Sequence, residues 1–187
     1  MKFTILIALA WLALSLAPCL ADNPSLDDLA ETRVKAEQGD AEAQYNLGVK
    51  YNDGDGVAID YTEAVKWWRK AADQGNAEAQ FKLGVIYHNG HRLRNGHGVA
   101  IDYSEAVKWW HKAADQGEAG AQSSLGLMYG NGQGVPRDFV QAYMWLYLAA
   151  AQGAKTRSTL DYLEHEMTPD QIAEAKKLAA AWKSTAN

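Results

Sequence analysis

Apolar positions recur along the chain at helical rather than strand spacing. Ala43, Leu47 and Tyr51 fall at i, i+4 and i+8, which places them on one face of a helix. Ala79, Leu83 and Tyr87 repeat the pattern, and Ala121, Leu125 and Tyr129 repeat it again. A broader stripe follows each of these. Tyr61, Ala64, Val65, Trp68, Ala71 and Ala72 form the first, and its copies begin at Tyr103 and Phe139. Each unit therefore predicts two helices, a first and a second. Each stripe needs a neighbour to cover it, which is the logic of a stacked array.

Polar residues punctuate the stripes. Asp40 and Asn76 stand where first helices need N-caps. Asp60 with Glu63, Asp102 with Glu105 and Asp138 with Gln141 read as capping boxes, the later residue reaching back to the N-cap amide. Gln74-Gly75, Gln116-Gly117 and Gln152-Gly153 stop the second helices, glycine taking the left-handed conformation. Asp53-Gly-Asp-Gly56 and Gly130-Asn-Gly-Gln-Gly134 read as tight turns between paired helices. No strand precedes them and no Lys-Ser/Thr follows, so they do not read as phosphate loops. Gly48, Gly84 and Gly126 sit inside first helices, where glycine costs about 1 kcal/mol relative to alanine. Its recurrence predicts a facing helix that crosses too closely for a side chain. Of each Trp pair, one is expected to fill the space between a unit's own helices. The other is expected to seal against the next unit.

The stop glycines Gly39, Gly75, Gly117 and Gly153 lie 36, 42 and 36 residues apart. Gly56–Gly75 and Gly98–Gly117 differ only at Thr62/Ser104 and Arg69/His111, and Gly134–Gly153 is a looser copy. The middle unit carries six extra residues between Tyr87 and Gly98. The expected organisation is residues 1–21 as a signal peptide, 22–39 as an N-terminal cap helix and 40–75, 76–117 and 118–153 as units. Residues 154–187 are C-terminal capping helices. Ser25 is the expected N-cap of the first helix. Ala154 to Glu166 reads as one more helix of the first type. Thr168-Pro-Asp-Gln171 opens the last helix, whose inner face is Ile172, Ala175, Leu178, Ala179 and Trp182. Atypical end helices cover the exposed ends of a solenoid.

Residues 1–21 differ in kind. Lys2 is followed by an uncharged stretch with an apolar run from Ile5 to Leu16, and Cys19-Leu20-Ala21 suits cleavage after Ala21. An uncleaved anchor and a lipid-attachment box at Leu16-Ala17-Pro18-Cys19 are the alternatives. Cleavage removes the only cysteine, leaving a chain without disulfides, thiol nucleophile or cysteine metal ligand. The expected localisation is exported, periplasmic or secreted, with no membrane contact after cleavage. Hydrophobic residues make up 48% of the chain, enough for a core, and the formal net charge of −5 with no long basic run argues against nucleic acid.

The recurring pattern AEAQxxLGxxYxxGxGVxxDxxxAxxWxxxAAxQG resembles the Sel1-like repeat, a relative of the tetratricopeptide repeat, over Ala36 to about Gly153. The tail from Met167 to Trp182 is similar to the usual ending of bacterial proteins of that kind. The resemblance implies an all-α, right-handed solenoid of helix-turn-helix repeats with helical caps, a protein-interaction module often found in the cell envelope. Its middle unit is longer than the family norm. One exported branch carries a disulfide per repeat and is linked to β-lactam binding or hydrolysis. Without cysteines, those properties do not carry over.

Candidate chemistry is sparse. His88, His91 and His97 could hold a metal ion, but Arg92 and Arg94 oppose it and no carboxylate lies in the insertion. No nucleophile motif is present, and Glu164-His165-Glu166 reads as a solvated face. No catalytic residue, metal or cofactor is assigned. Binding has the better argument, because repeats share core positions and differ where they touch a ligand. In register, the first helices differ at Tyr45/Phe81/Ser123, Asn46/Lys82/Ser124, Lys50/Ile86/Met128 and Asn52/His88/Gly130, with Val49/Val85/Leu127 beside them. The candidate partner site is Tyr45, Asn46, Val49, Lys50, Phe81, Lys82, Val85, Ile86, Ser124 and Met128. Tyr45, Phe81, Ile86 and Met128 are its expected apolar anchors, and Lys50 and Lys82 its carboxylate holders. The reading is a non-enzymatic module that binds a protein or peptide. The alternatives are an enzyme or binder of cell-wall material or a β-lactam, and a self-assembling structural protein.

Overall fold

The computed structural model describes residues 24–91 and 98–185. The signal-peptide reading of residues 1–21 lies outside the described residues. Nine helices follow among them: α1 Pro24–Glu37, α2 Ala41–Asp53, α3 Tyr61–Asp73, α4 Ala77–Asn89, α5 Tyr103–Asp115, α6 Ala119–Asn131, α7 Phe139–Ala151, α8 Arg157–Glu166 and α9 Pro169–Thr185. They form a right-handed α-solenoid of paired helices, α2 with α3, α4 with α5 and α6 with α7. The described residues hold no strand beyond an isolated antiparallel bridge between His91 and Val99. None of their helices is long and apolar enough to cross a membrane.

The caps explain where the helices begin. Asp40 and Asn76 accept from the amides of Ala43 and Ala79 at 2.7 and 2.8 Å, and Glu118 takes the same role toward Ala121. Asp60, Asp102 and Asp138 accept from the amides of Glu63, Glu105 and Gln141. The return half of the expected capping box is absent at these three sites. The N-cap amides of Asp60, Asp102 and Asp138 donate instead to the carbonyls of Tyr51, Tyr87 and Tyr129. Glu63 pairs with Lys66, and Glu105 with Lys108 and the indole of Trp109. The box closes in both directions at Thr168 and Gln171. Helix α1 begins one residue before Ser25, so Ser25 lies inside its first turn. Helix α8 begins at Arg157 rather than Ala154, because the Thr156 hydroxyl is drawn inward to donate to the carbonyl of Leu146 at 3.2 Å.

The helix glycines mark close crossings, as their recurrence predicts. A methyl group at Gly48 would collide with the indole of Trp68, and one at Gly84 with that of Trp110. At Gly126 the obstacle is Leu146, the residue in register with those two tryptophans. The second residue of each pair thus fills its own unit. The first seals against the preceding layer and not the next one. Trp67 packs on the cluster of Leu29, Ala36, Ala43 and Leu47, and Trp109 on the cluster that holds Ala64, Trp68 and Ile86.

Two polar locks repeat at the α1–α2, α3–α4 and α5–α6 joints. Gln44, Gln80 and Gln122 are buried and donate to the carbonyls of Ala36, Ala72 and Ala114 at 3.0, 3.0 and 3.3 Å. Their side-chain oxygens accept from Gln74, Gln116 and Gln152 at 2.8, 2.8 and 2.9 Å. Each buried amide is thereby satisfied on both sides, which removes a desolvation cost of about 1–3 kcal/mol per site. The second lock joins Arg33 to the hydroxyl of Tyr51 and Arg69 to that of Tyr87, with His111 on Tyr129 in the third copy. The two locks place Ala36 and Arg33 of α1 in register with Ala72 and Arg69 of α3. Helix α1 therefore stands as a second-type helix with no first-type helix before it among the described residues. At the other end α9 packs on α7, burying Ala175 and Ala179 with Ile172, Leu178 and Trp182 against the same core.

Candidate binding cleft

First helices carry two kinds of position on the face they share. Some are sealed by neighbouring units and some stay open, and the candidate residues divide between them. Ile86 and Met128, expected as surface anchors, are core residues at 2% and 1% exposure. Ile86 joins the cluster of Ala64 and Trp68, and Met128 the cluster of Ala106 and Trp110. Lys50, at the same register, has a covered stem and an ammonium held 2.6 Å from Asp28 and 3.0 Å from Asp55. The hydrogen bond to Asp28, then that to Asp55, holds its pKa above the ordinary lysine value. It is a paired cation and is not available to hold a partner's carboxylate.

Tyr45 and Val49 pack half-buried toward α4, and Phe81 and Val85 toward α6. Burial and the neighbouring Glu78 raise the Tyr45 hydroxyl's pKa. The ring of Phe81 lies where a side chain at Gly120 would go. These aromatics close one unit on the next. Asn46 is exposed, and Lys82 and Ser124 are half-exposed.

A cleft of about 470 Å³ opens between α4 and α6, and a smaller one of about 280 Å³ at the α1–α2 edge is lined by Asn46, Val49 and Lys50. Val85, Trp110, Leu127 and Met128 are the apolar lining of the larger cleft. Leu127 is 45% exposed, a large apolar side chain with nothing over it. The rim is neutral and polar, from Ser124, Asn89, Asn131 and Gln133. His88 closes one side, its ring 5.3 Å from that of Tyr103 and 5.4 Å from that of Trp110. The N–H of Trp68 donates to the carbonyl of Tyr45 at 3.2 Å, whereas the buried N–H groups of Trp110 and Trp145 have no acceptor among the described residues. The cleft unites Val85, Ser124 and Met128 of the candidate set. It leaves out Tyr45, Asn46, Val49, Lys50, Phe81, Lys82 and Ile86. It adds Leu127, which stands in register with Val49 and Val85.

The second half of the candidate metal loop, Arg92 to His97, lies outside the described residues. Of its histidines, His91 bridges to Val99 through backbone bonds of 2.7 and 2.6 Å, and its ring lies 4.2 Å from that of Tyr61. No group of three or more His, Cys, Asp or Glu suited to a metal ion occurs among the described residues.

Comparison with known proteins agrees with this architecture. A protective antigen of uropathogenic Escherichia coli strains with an SLR fold superposes with a TM-score of 0.67 at 38% identity, over 83% of this chain and 32% of that one. A Sel1 repeat protein from Oxalobacter formigenes gives 0.62 at 31% identity, over 80% of this chain and 57% of its own. The chain thus spans about a third of one relative and just over half of the other. No curated protein sequence matches it. The Sel1 repeat model matches residues 41–76, 77–118 and 119–153, and the chain belongs to the Sel1 repeat family.

Proposed function

We propose that this chain is an exported, non-enzymatic interaction module of the cell envelope that takes a protein or peptide segment into the α4–α6 cleft. Sel1 repeats generally mediate protein–protein interaction. The observation that carries the present reading is the cleft itself: an apolar lining, an uncovered Leu127 and a rim of amide and hydroxyl groups. Such a rim offers both donors and acceptors to a peptide backbone, and the lining suits one large apolar side chain. Lys2 and the uncharged stretch after it support export.

The test is site-specific photo-crosslinking in the native host, with the probe at Leu127 or Ser124 and a control probe at Lys176. One dominant protein adduct from the cleft positions alone is the expected result. Equal adducts from the control, or none from the cleft, overturn the reading. An adduct at twice the mass of this chain points instead to self-assembly.

A further inference from the structure

The lock between second helices and the tyrosines of the following first helices is built twice from arginine and once from histidine. Arg33 donates to Tyr51 at 2.8 Å and Arg69 to Tyr87 at 2.6 Å. At the third joint the Nε2 of His111 lies 3.0 Å from the hydroxyl of Tyr129. Arginine keeps its charge at every physiological pH, and Arg69 is half in water, so its joint carries no proton-linked cost. His111 is covered more deeply, with Tyr129 of α6 on one side and Trp145 of α7 edge-on at 5.8 Å.

We propose that His111 makes the joint between the second and third units acid-sensitive, while the arginine-built joints before it are not. The groups facing the ring are few. On α5 there is Asp115, on α6 Tyr129, and from α7 only the indole of Trp145. Burial lowers the imidazole's pKa from the ordinary value, and Asp115 opposes that without cancelling it. Burial first, then Asp138, raises the pKa of Tyr129, so its hydroxyl stays neutral throughout. A neutral imidazole bonds to that hydroxyl in either tautomer. An imidazolium there must give up water without gaining a paired carboxylate.

When the joint opens, the ring returns to water and to a pKa of about 6.5. The closed state binds the proton less readily than the open one, so joint stability rises with pH across this window. It is fully present above about 6.5 and lost as pH falls from there toward the lower closed-state value. One proton is involved, so the opening constant grows at most about tenfold per pH unit.

Hydrogen exchange on the full chain at pH 7.5 and 5.5, corrected for intrinsic rates, reads this by helix. The expected result is a loss of protection in α6 and α7 beyond that in α2 and α3, by up to about tenfold per pH unit. His111→Arg should abolish the difference, and Arg69→His should carry it to α4. The other histidines are common to all three proteins, so their titration cancels. If His111→Arg does not fold, His111→Gln keeps a hydrogen-bonding side chain without titration and gives the same reading. A wild-type chain with no acid difference, or a variant that keeps it in full, overturns the proposal.

Discussion

The N-terminal edge of the array and its interior joints use the same register with opposite chemistry. At the α5–α6 joint, Met128 packs with Ala106 and Trp110 and is 1% exposed. At the α1–α2 edge the same three positions are Lys50, Asp28 and Thr32. No first-type helix stands before α1 among the described residues, so nothing there demands a tryptophan to fill a crossing. The edge is finished by an ion pair between the lysine and two carboxylates that remain 63% and 59% exposed. Variation between repeats at 50/86/128 therefore records which neighbour each unit meets. It says little about a ligand.

Five substitutions press on that contrast. Met128→Lys places the edge residue in the interior, where no carboxylate awaits it. An unpaired buried cation should cost about 3–5 kcal/mol, seen as a fall in the denaturant midpoint with an unchanged slope. Gln122→Met removes two hydrogen bonds, one to the carbonyl of Ala114 and one from the amide of Gln152, and should cost about 1–3 kcal/mol. Gln44→Met, at the edge, should cost less. Lys50→Met removes a pair whose acids face water, so the expected loss is under about 1 kcal/mol. A loss as large as that of Met128→Lys would erase the distinction between edge and interior. Leu127→Ser should cost about 1 kcal/mol or less, since that side chain is 45% exposed. It should nonetheless abolish the adduct formed by a probe at Ser124.

Much of the fold was legible in the sequence because its signals are local. The three-fold stripes, the Asp and Asn caps and the glycines at close crossings each depend on residues within one helix or one turn. What escaped depends on what lies across the array. The backward reach of Glu63 to Asp60 fails because the carbonyl of Tyr51 arrives first, through the return of the chain. Ile86 and Met128 looked like groove residues because they vary, yet the apolar faces of α3 and α5 cover them. Leu127 stands beside the varying positions in register with Val49 and Val85, and its 45% exposure depends on how α4 and α6 are spaced. The glutamines were visible as recurring marks. Their meaning needed partners eight and about thirty residues away, and the fact that Gln recurs at both marks in all three units was the available signal.

That glutamine ladder gives the array a direction and a seam. Each unit sends one side-chain donor backward to its predecessor's helix, and the carbonyls of Ala72 and Ala114 in the first two units accept from their successors. A segment copied from one stop glycine to the next thus arrives with both connections already matched. Gene duplication at that seam lengthens the solenoid without new contacts having to be found. The near-identity of Gly56–Gly75 and Gly98–Gly117 is the trace such an event would leave.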